Sequence, residues 1–133
     1  MFFLPVALTM AGALALVNFW LALRVVQLRI REKVMNGDGG NARVAARMRA
    51  HANFIEYAPL TLALLALIEL AKGTQFWLWV AAALFVIGRV LHGIGMDGWR
   101  PGRAGGILIT WAVMLGLAGY ATYLGYSGLN PLR

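Results

Sequence analysis

Residues 1–23, MFFLPVALTMAGALALVNFWLAL, carry no charged side chain, and the run ends on the cations Arg24, Arg29, Arg31 and Lys33. A helix needs about 20 mostly apolar residues to cross a hydrocarbon core roughly 30 Å thick. The stretch therefore reads as a membrane span with a basic extension. Ala13-Leu14-Ala15 resembles a cleavage site, but no basic residue precedes the apolar run, and the run continues to Leu23. The expectation is a retained first helix rather than a signal peptide.

A second uncharged run covers residues 104–132, and apolar stretches at about 50–71 and 75–95 lie between. Four spans are expected, over about 3–31, 42–71, 75–96 and 103–126, making an all-α integral membrane four-helix bundle and a single domain over 1–133. Composition agrees: the 133 residues are 61% hydrophobic and only 13% charged, whereas soluble domains carry about a quarter charged residues. Membrane lipid is thus the first partner implied.

The formal net charge is +7, which in a soluble protein raises nucleic acid as a partner. Here the distribution points elsewhere. Arg24, Arg29, Arg31, Lys33, Arg43, Arg47, Arg49, Arg89, Arg100 and Arg103 fall toward the side of the connections after spans 1 and 3, leaving Lys72 and Arg133 for the other. That asymmetry predicts cytoplasmic basic loops and both termini outside; the short loops suggest a bacterial inner membrane. Nucleic-acid binding is not expected. There is no cysteine, which excludes disulfides, thiolate metal sites and cysteine nucleophiles. Any sulfur chemistry must use a thiol brought by a ligand.

Between the spans the turn signals are clear. Asn36-Gly37-Asp38-Gly39-Gly40-Asn41 breaks helix 1 from helix 2, Lys72-Gly73 ends helix 2, and Asp97 to Gly102 separates helices 3 and 4. Pro59 lies inside helix 2 and leaves the carbonyl of Ile55 without its helical partner, a defect membrane helices tolerate when neighbours compensate. Trp77, Trp79, Tyr120, Tyr123 and Tyr126 suit an interface belt. Gly116 and Gly119, with Ala112 and Ala118, are expected to allow close helix approach.

Helix 2 also carries Arg49, Asn53, Glu56 and Tyr57, at i, i+4, i+7 and i+8. That spacing sets a cation, an amide, an anion and a phenol in one stripe. Ionisable groups in a span cost a few kcal/mol each and usually mark a site. A plain ion pair, or an arginine snorkelling to the interface, accounts for Arg49 alone; it does not require Asn53 and Tyr57 as well. Helix 3 offers Arg89, His92 and Met96 at i, i+3 and i+7. His92 alone reads equally as a packing residue, His51 points away from the stripe, and neither has a carboxylate at ligand spacing, so no metal site is expected. Glu69 reads as interfacial. Arginines hold carboxylates through paired hydrogen bonds, and Glu56 offers a place for an ammonium. The stripe thus suits a small zwitterion or polyanion with an amino group, and an arginine beside a ligand thiol favours its thiolate.

The segment Arg49-Ala50-His51-Ala52-Asn53-Phe54-Ile55-Glu56-Tyr57-Ala58-Pro59-Leu60 resembles the helix 2 signature of the MAPEG family, the membrane-associated proteins in eicosanoid and glutathione metabolism. Gly88-Arg89-Val90-Leu91-His92 is similar to the third-helix motif of microsomal prostaglandin-E synthase, and Arg29-Ile30-Arg31 and Arg100-Pro101-Gly102-Arg103 match in kind. The likeness, to microsomal glutathione transferases and leukotriene-C synthase as well, spans essentially the whole chain. It implies a homotrimer, with glutathione between helices 1 and 2 of one subunit and helices 3 and 4 of the next. Arg49, Asn53, Glu56 and Tyr57 would hold it with Arg29 assisting; Arg89 and His92 of the neighbour would line the site, and Arg103 would stabilise the thiolate that attacks a lipophilic electrophile. His92 stands where leukotriene-synthesising members have tyrosine, Met96 replaces a tyrosine common to both groups, Ile30 replaces a second arginine, and the loop before Arg103 aligns only with a shift. The resemblance thus implies a bacterial-type glutathione transferase or peroxidase. A non-catalytic lipid-binding scaffold of the same family and a small multidrug transporter using Glu56 are the rival readings.

Overall fold

The computed structural model describes residues 3–128; Arg133, counted above among the cations, lies outside them. Four helices follow one another: α1 Pro5–Glu32, α2 Ala42–Lys72, α3 Phe76–Gly95 and α4 Arg100–Gly128. All four are long and apolar enough to span a membrane, and no strand occurs among the described residues. The helix α4 starts at Arg100, before the expected residue 103, because Pro101 suits the first turn, where its missing N–H leaves no bond unmade.

Local chemistry sets the ends. Asn41 caps α2, its side-chain oxygen accepting from the amides of Arg43 and Val44 at 2.9 and 3.2 Å. The helix runs unbroken through Pro59 and stops at Gly73, whose φ of 75° is open to glycine and whose amide donates to the Glu69 carbonyl. The first helix has no local cap. Its Val6 and Ala7 amides instead donate to the carboxylate of Glu69, at 3.1 and 2.9 Å, and the Thr74 hydroxyl donates to the same carboxylate at 2.8 Å. Glu69 is 1% exposed. The expected interfacial glutamate is thus a buried cap, contributed by the far end of α2 to the positive end of α1.

The helix α1 packs on α2 and α3, while α4 packs mainly on α3 and also on α2. The core side of α1 (Val6, Met10, Leu14, Val17, Leu21, Val25 and Leu28) recurs every three or four residues. It meets Phe54, Ala58, Leu65 and Ile68 of α2 and Leu78 and Phe85 of α3. Close approach occurs between α3 and α4, but not where it was expected. A Cβ on Gly116 or Gly119 would meet nothing, whereas one on Gly106 would lie 2.5 Å from both the Gly88 carbonyl oxygen and the His92 amide nitrogen. One on Gly95 would strike the backbone of Arg103. Small residues matter here at the basic end, where α3 and α4 leave their tight turn.

That end is also clamped. Asp97, between α3 and α4, accepts two bonds from Arg47 of α2 at 3.1 Å and a salt bridge from Arg24 of α1. Arg24 further donates to the Gly93 carbonyl and lies over the Trp20 ring, and Arg47 donates to the Arg24 carbonyl. Arg47 is therefore more than an orienting charge. Partial burial works against ionisation of Asp97, but the Arg47 hydrogen bonds and the charges of Arg24 and Arg47 outweigh it and hold its carboxyl below the usual range.

Candidate functional site

The stripe on α2 forms as the spacing predicts. Arg49 donates to Glu56 at 2.9 and 3.5 Å, and the Asn53 amide donates to Glu56 at 3.4 Å. Two helical turns separate Arg49 from Glu56, so the pair lies along the helix axis with Asn53 between.

Arg89 of α3 enters beneath this stripe and is 1% exposed. It donates to Asn53 Oδ1 at 2.7 Å, to Thr110 Oγ1 of α4 at 3.1 Å, and stands 3.1 Å from His92 Nδ1. Its guanidinium carbon lies 5.7 Å from the centre of the Tyr57 ring, while its Nε has no partner among the described residues. From α4, Trp111 donates to the Tyr57 hydroxyl at 3.1 Å.

Above Arg89 these side chains enclose a cleft of about 210 Å³, lined by Arg49, Asn53, Tyr57, His92, Met96, Arg103, Ile107 and Trp111. Three helices of one chain supply it. Its polar half is dominated by donors, and Arg103 has no acidic partner among the described residues. Its apolar half, Met96, Ile107 and Trp111, is continuous with the outer face of α4, where Leu108, Trp111 and Leu115 are exposed. A water-soluble anion and an apolar group could meet there side by side.

A match to the MAPEG family covers residues 7–123. This chain belongs to the MAPEG family. The chain is also similar to the inner membrane protein YecN of Escherichia coli K12, 31% identical over 109 residues that cover 78% of this chain and 79% of YecN. YecN of Escherichia coli O6:H1 (strain CFT073) matches to the same degree.

Of the residues named from the sequence of this MAPEG protein, Arg49, Asn53, Tyr57, His92 and Arg103 line one cleft, and Glu56 sits beside it through its bonds to Arg49 and Asn53. Arg89 lies behind the cleft wall and meets Asn53 of its own chain, so within one chain it is no donor from a neighbour. His92 likewise lines the cleft with Arg49 of its own chain. Arg29 stands apart. It donates to the Gly37 carbonyl at 3.0 Å and to the Met48 sulfur, and borders a separate hollow with Ile30, Lys33 and Met35. His51 is held at 2.7 Å by Asn18 of α1, away from the stripe. Sequence reasoning missed Ile107, Thr110 and Trp111, although their i+4, i+7 and i+8 spacing from Arg103 was a usable signal.

Proposed function

We propose that this protein is a membrane-bound glutathione transferase or peroxidase, taking glutathione as co-substrate at the basic end of the bundle and a lipophilic electrophile from the bilayer. The observation that carries the reading is the gathering of Arg49, Asn53, Tyr57, His92 and Arg103 around one cleft that opens onto an apolar wall. Glutathione brings two carboxylates, an ammonium and a thiol. Arg49 suits a carboxylate, Glu56 the ammonium, and Arg103 the sulfur as thiolate, the nucleophilic form. The thiol proton leaves to water at the cleft mouth. The sulfur lone pair then forms a bond to the electrophilic carbon as the leaving group departs with its electron pair. With a hydroperoxide, sulfur takes one oxygen and the alcohol leaves; a second glutathione then gives the disulfide and water.

Exposure supports an interface around this site. The Arg49 and Glu56 side chains are 61% and 46% exposed although they belong to a spanning helix. An ion pair facing hydrocarbon is strongly unfavourable, so this face needs a polar or protein cover. We take the cover to be a second copy in a homotrimer, with Arg29 of one copy turned toward the cleft of another. The name of YecN and the basic end of the bundle support an inner-membrane location with basic loops cytoplasmic and termini outside.

The test is glutathione-dependent thermal stabilisation of the purified protein. Millimolar glutathione should raise the melting temperature of the wild type, and Arg49→Ala and Glu56→Ala should each lose most of the shift. A wild type indifferent to glutathione removes the basis of the reading. Stabilisation with no conjugation of any of several electrophiles would favour a lipid-binding scaffold. The transporter reading is disfavoured by Arg49 and Arg103, which line the same cleft and would repel a cationic drug.

A further inference from the structure

We infer that Arg89 is a positioning residue that fixes His92 in its Nε2–H tautomer, so that His92 is a hydrogen-bond donor to the cleft and not a base. The inference rests on the proposed glutathione site for its functional meaning, but its geometry stands without any ligand.

A guanidinium has five N–H donors, no acceptor, and keeps its proton in proteins. The Arg89 Nη2 lies 3.1 Å from His92 Nδ1. Nδ1 must therefore be the acceptor and carry no proton, and the one proton of the neutral ring sits on Nε2. His92 lines the cleft, and Nε2 has no partner among the described residues. The same Arg89 nitrogen holds Asn53 Oδ1 at 2.7 Å, which orients the Asn53 amide nitrogen toward Glu56. Thr110 secures the other side of the guanidinium: its hydroxyl donates to the Gly106 carbonyl at 2.8 Å, leaving a lone pair for Arg89 at 3.1 Å. Arg89 does not itself line the cleft and is 1% exposed. It acts through two residues that do.

The cleft then presents Asn53 N–H and His92 Nε2–H beside the charged donors Arg49 and Arg103, with the Tyr57 hydroxyl on the same wall. This set stabilises an anion. It does not accept a thiol proton, so His92 would hydrogen-bond the thiolate or a glutathione carboxylate while the proton leaves to water.

The chain has two histidines, which makes the tautomer directly readable by long-range proton–nitrogen NMR on histidine-labelled protein, with His51→Gln to assign the signals. Near about pH 7.5, above the ordinary histidine range, wild-type His92 should show the Nε2–H pattern without glutathione. Arg89→Met should shift it toward the other tautomer, and Arg89→Lys, which keeps a donor, should restore it. An Nδ1–H or imidazolium signal in the wild type overturns the inference, and that spectrum decides even if Arg89→Met does not fold. In turnover, His92→Gln, which keeps an N–H, should exceed His92→Phe by roughly a hundredfold in kcat; equal losses would refute the donor role. If glutathione fails to bind while the Nε2–H tautomer is observed, the transferase reading falls and the positioning by Arg89 stands.

Discussion

Glu69 reads as interfacial from its position near the end of α2, yet it is buried and caps another helix. Its carboxylate closes the start of α1 from 62 and 63 positions away in sequence, a partnership no local pattern announces. Removing it leaves two amides and the Thr74 hydroxyl without their acceptor in an apolar setting, at about 1–3 kcal/mol for each buried group left unmade. Glu69→Ala should lower the thermal stability measurably while glutathione binding persists in the folded fraction, as read by melting with and without ligand. Asp97 has a different dependence. Its carboxyl is held below the ordinary range in the folded protein, so its contribution to stability is full above the unfolded value of about 3.9 and fades as the pH falls below it. Melting temperature should therefore drop as the pH falls below about 4 in the wild type, and less in Asp97→Asn. High salt should weaken the same clamp, since the Asp97 side chain remains 39% exposed.

Among the helices, α2 was the most legible. Its stripe depends only on residues within two turns of one another, and helical periodicity alone places Arg49, Asn53, Glu56 and Tyr57 together. The meeting of α3 with α4 was not legible in the same way, because glycine is enriched in membrane helices generally and only the packing tells which glycine is needed. Gly106 is needed. A methyl there would fall 2.5 Å from the Gly88 oxygen and the His92 nitrogen, both backbone atoms that cannot swing aside. Gly106→Ala should force α3 and α4 apart, cost about 1–3 kcal/mol or more, and disturb the Thr110–Arg89 bonds next to it. Gly116→Ala, with nothing within 4 Å of the new atom, should leave the melting temperature of the isolated chain unchanged. The pair is checked by comparing folded yield and melting side by side.

For the molecule as a whole, two charge-free runs and the two apolar stretches between them were enough to give four spanning helices, since lipid admits few other backbone arrangements. What the pattern could not give was which charges belong together. Arg47 looked like an orienting charge and is half of a clamp, and Arg89, on another helix, lies behind the stripe and holds Asn53. Such assignments depend on how helices face one another, which spacing along one chain does not encode. The Arg49–Glu56 pair is exposed in the single chain, and the proposed homotrimer makes its cover testable. Native mass spectrometry should find three copies, and conditions that yield single chains should abolish glutathione-dependent stabilisation even with every cleft residue intact.

The cap on α1 also bears on biogenesis. The first helix emerges from the ribosome before the residue that completes its beginning has been translated, and Glu69 stands at the close of the second. Until α2 has crossed, α1 holds two amides with no acceptor of their own; once it has, the pair is locked as a hairpin. Insertion of the first two segments should therefore be mutually dependent, with α1 retained less efficiently in nascent chains truncated before Glu69 than in those just beyond Thr74.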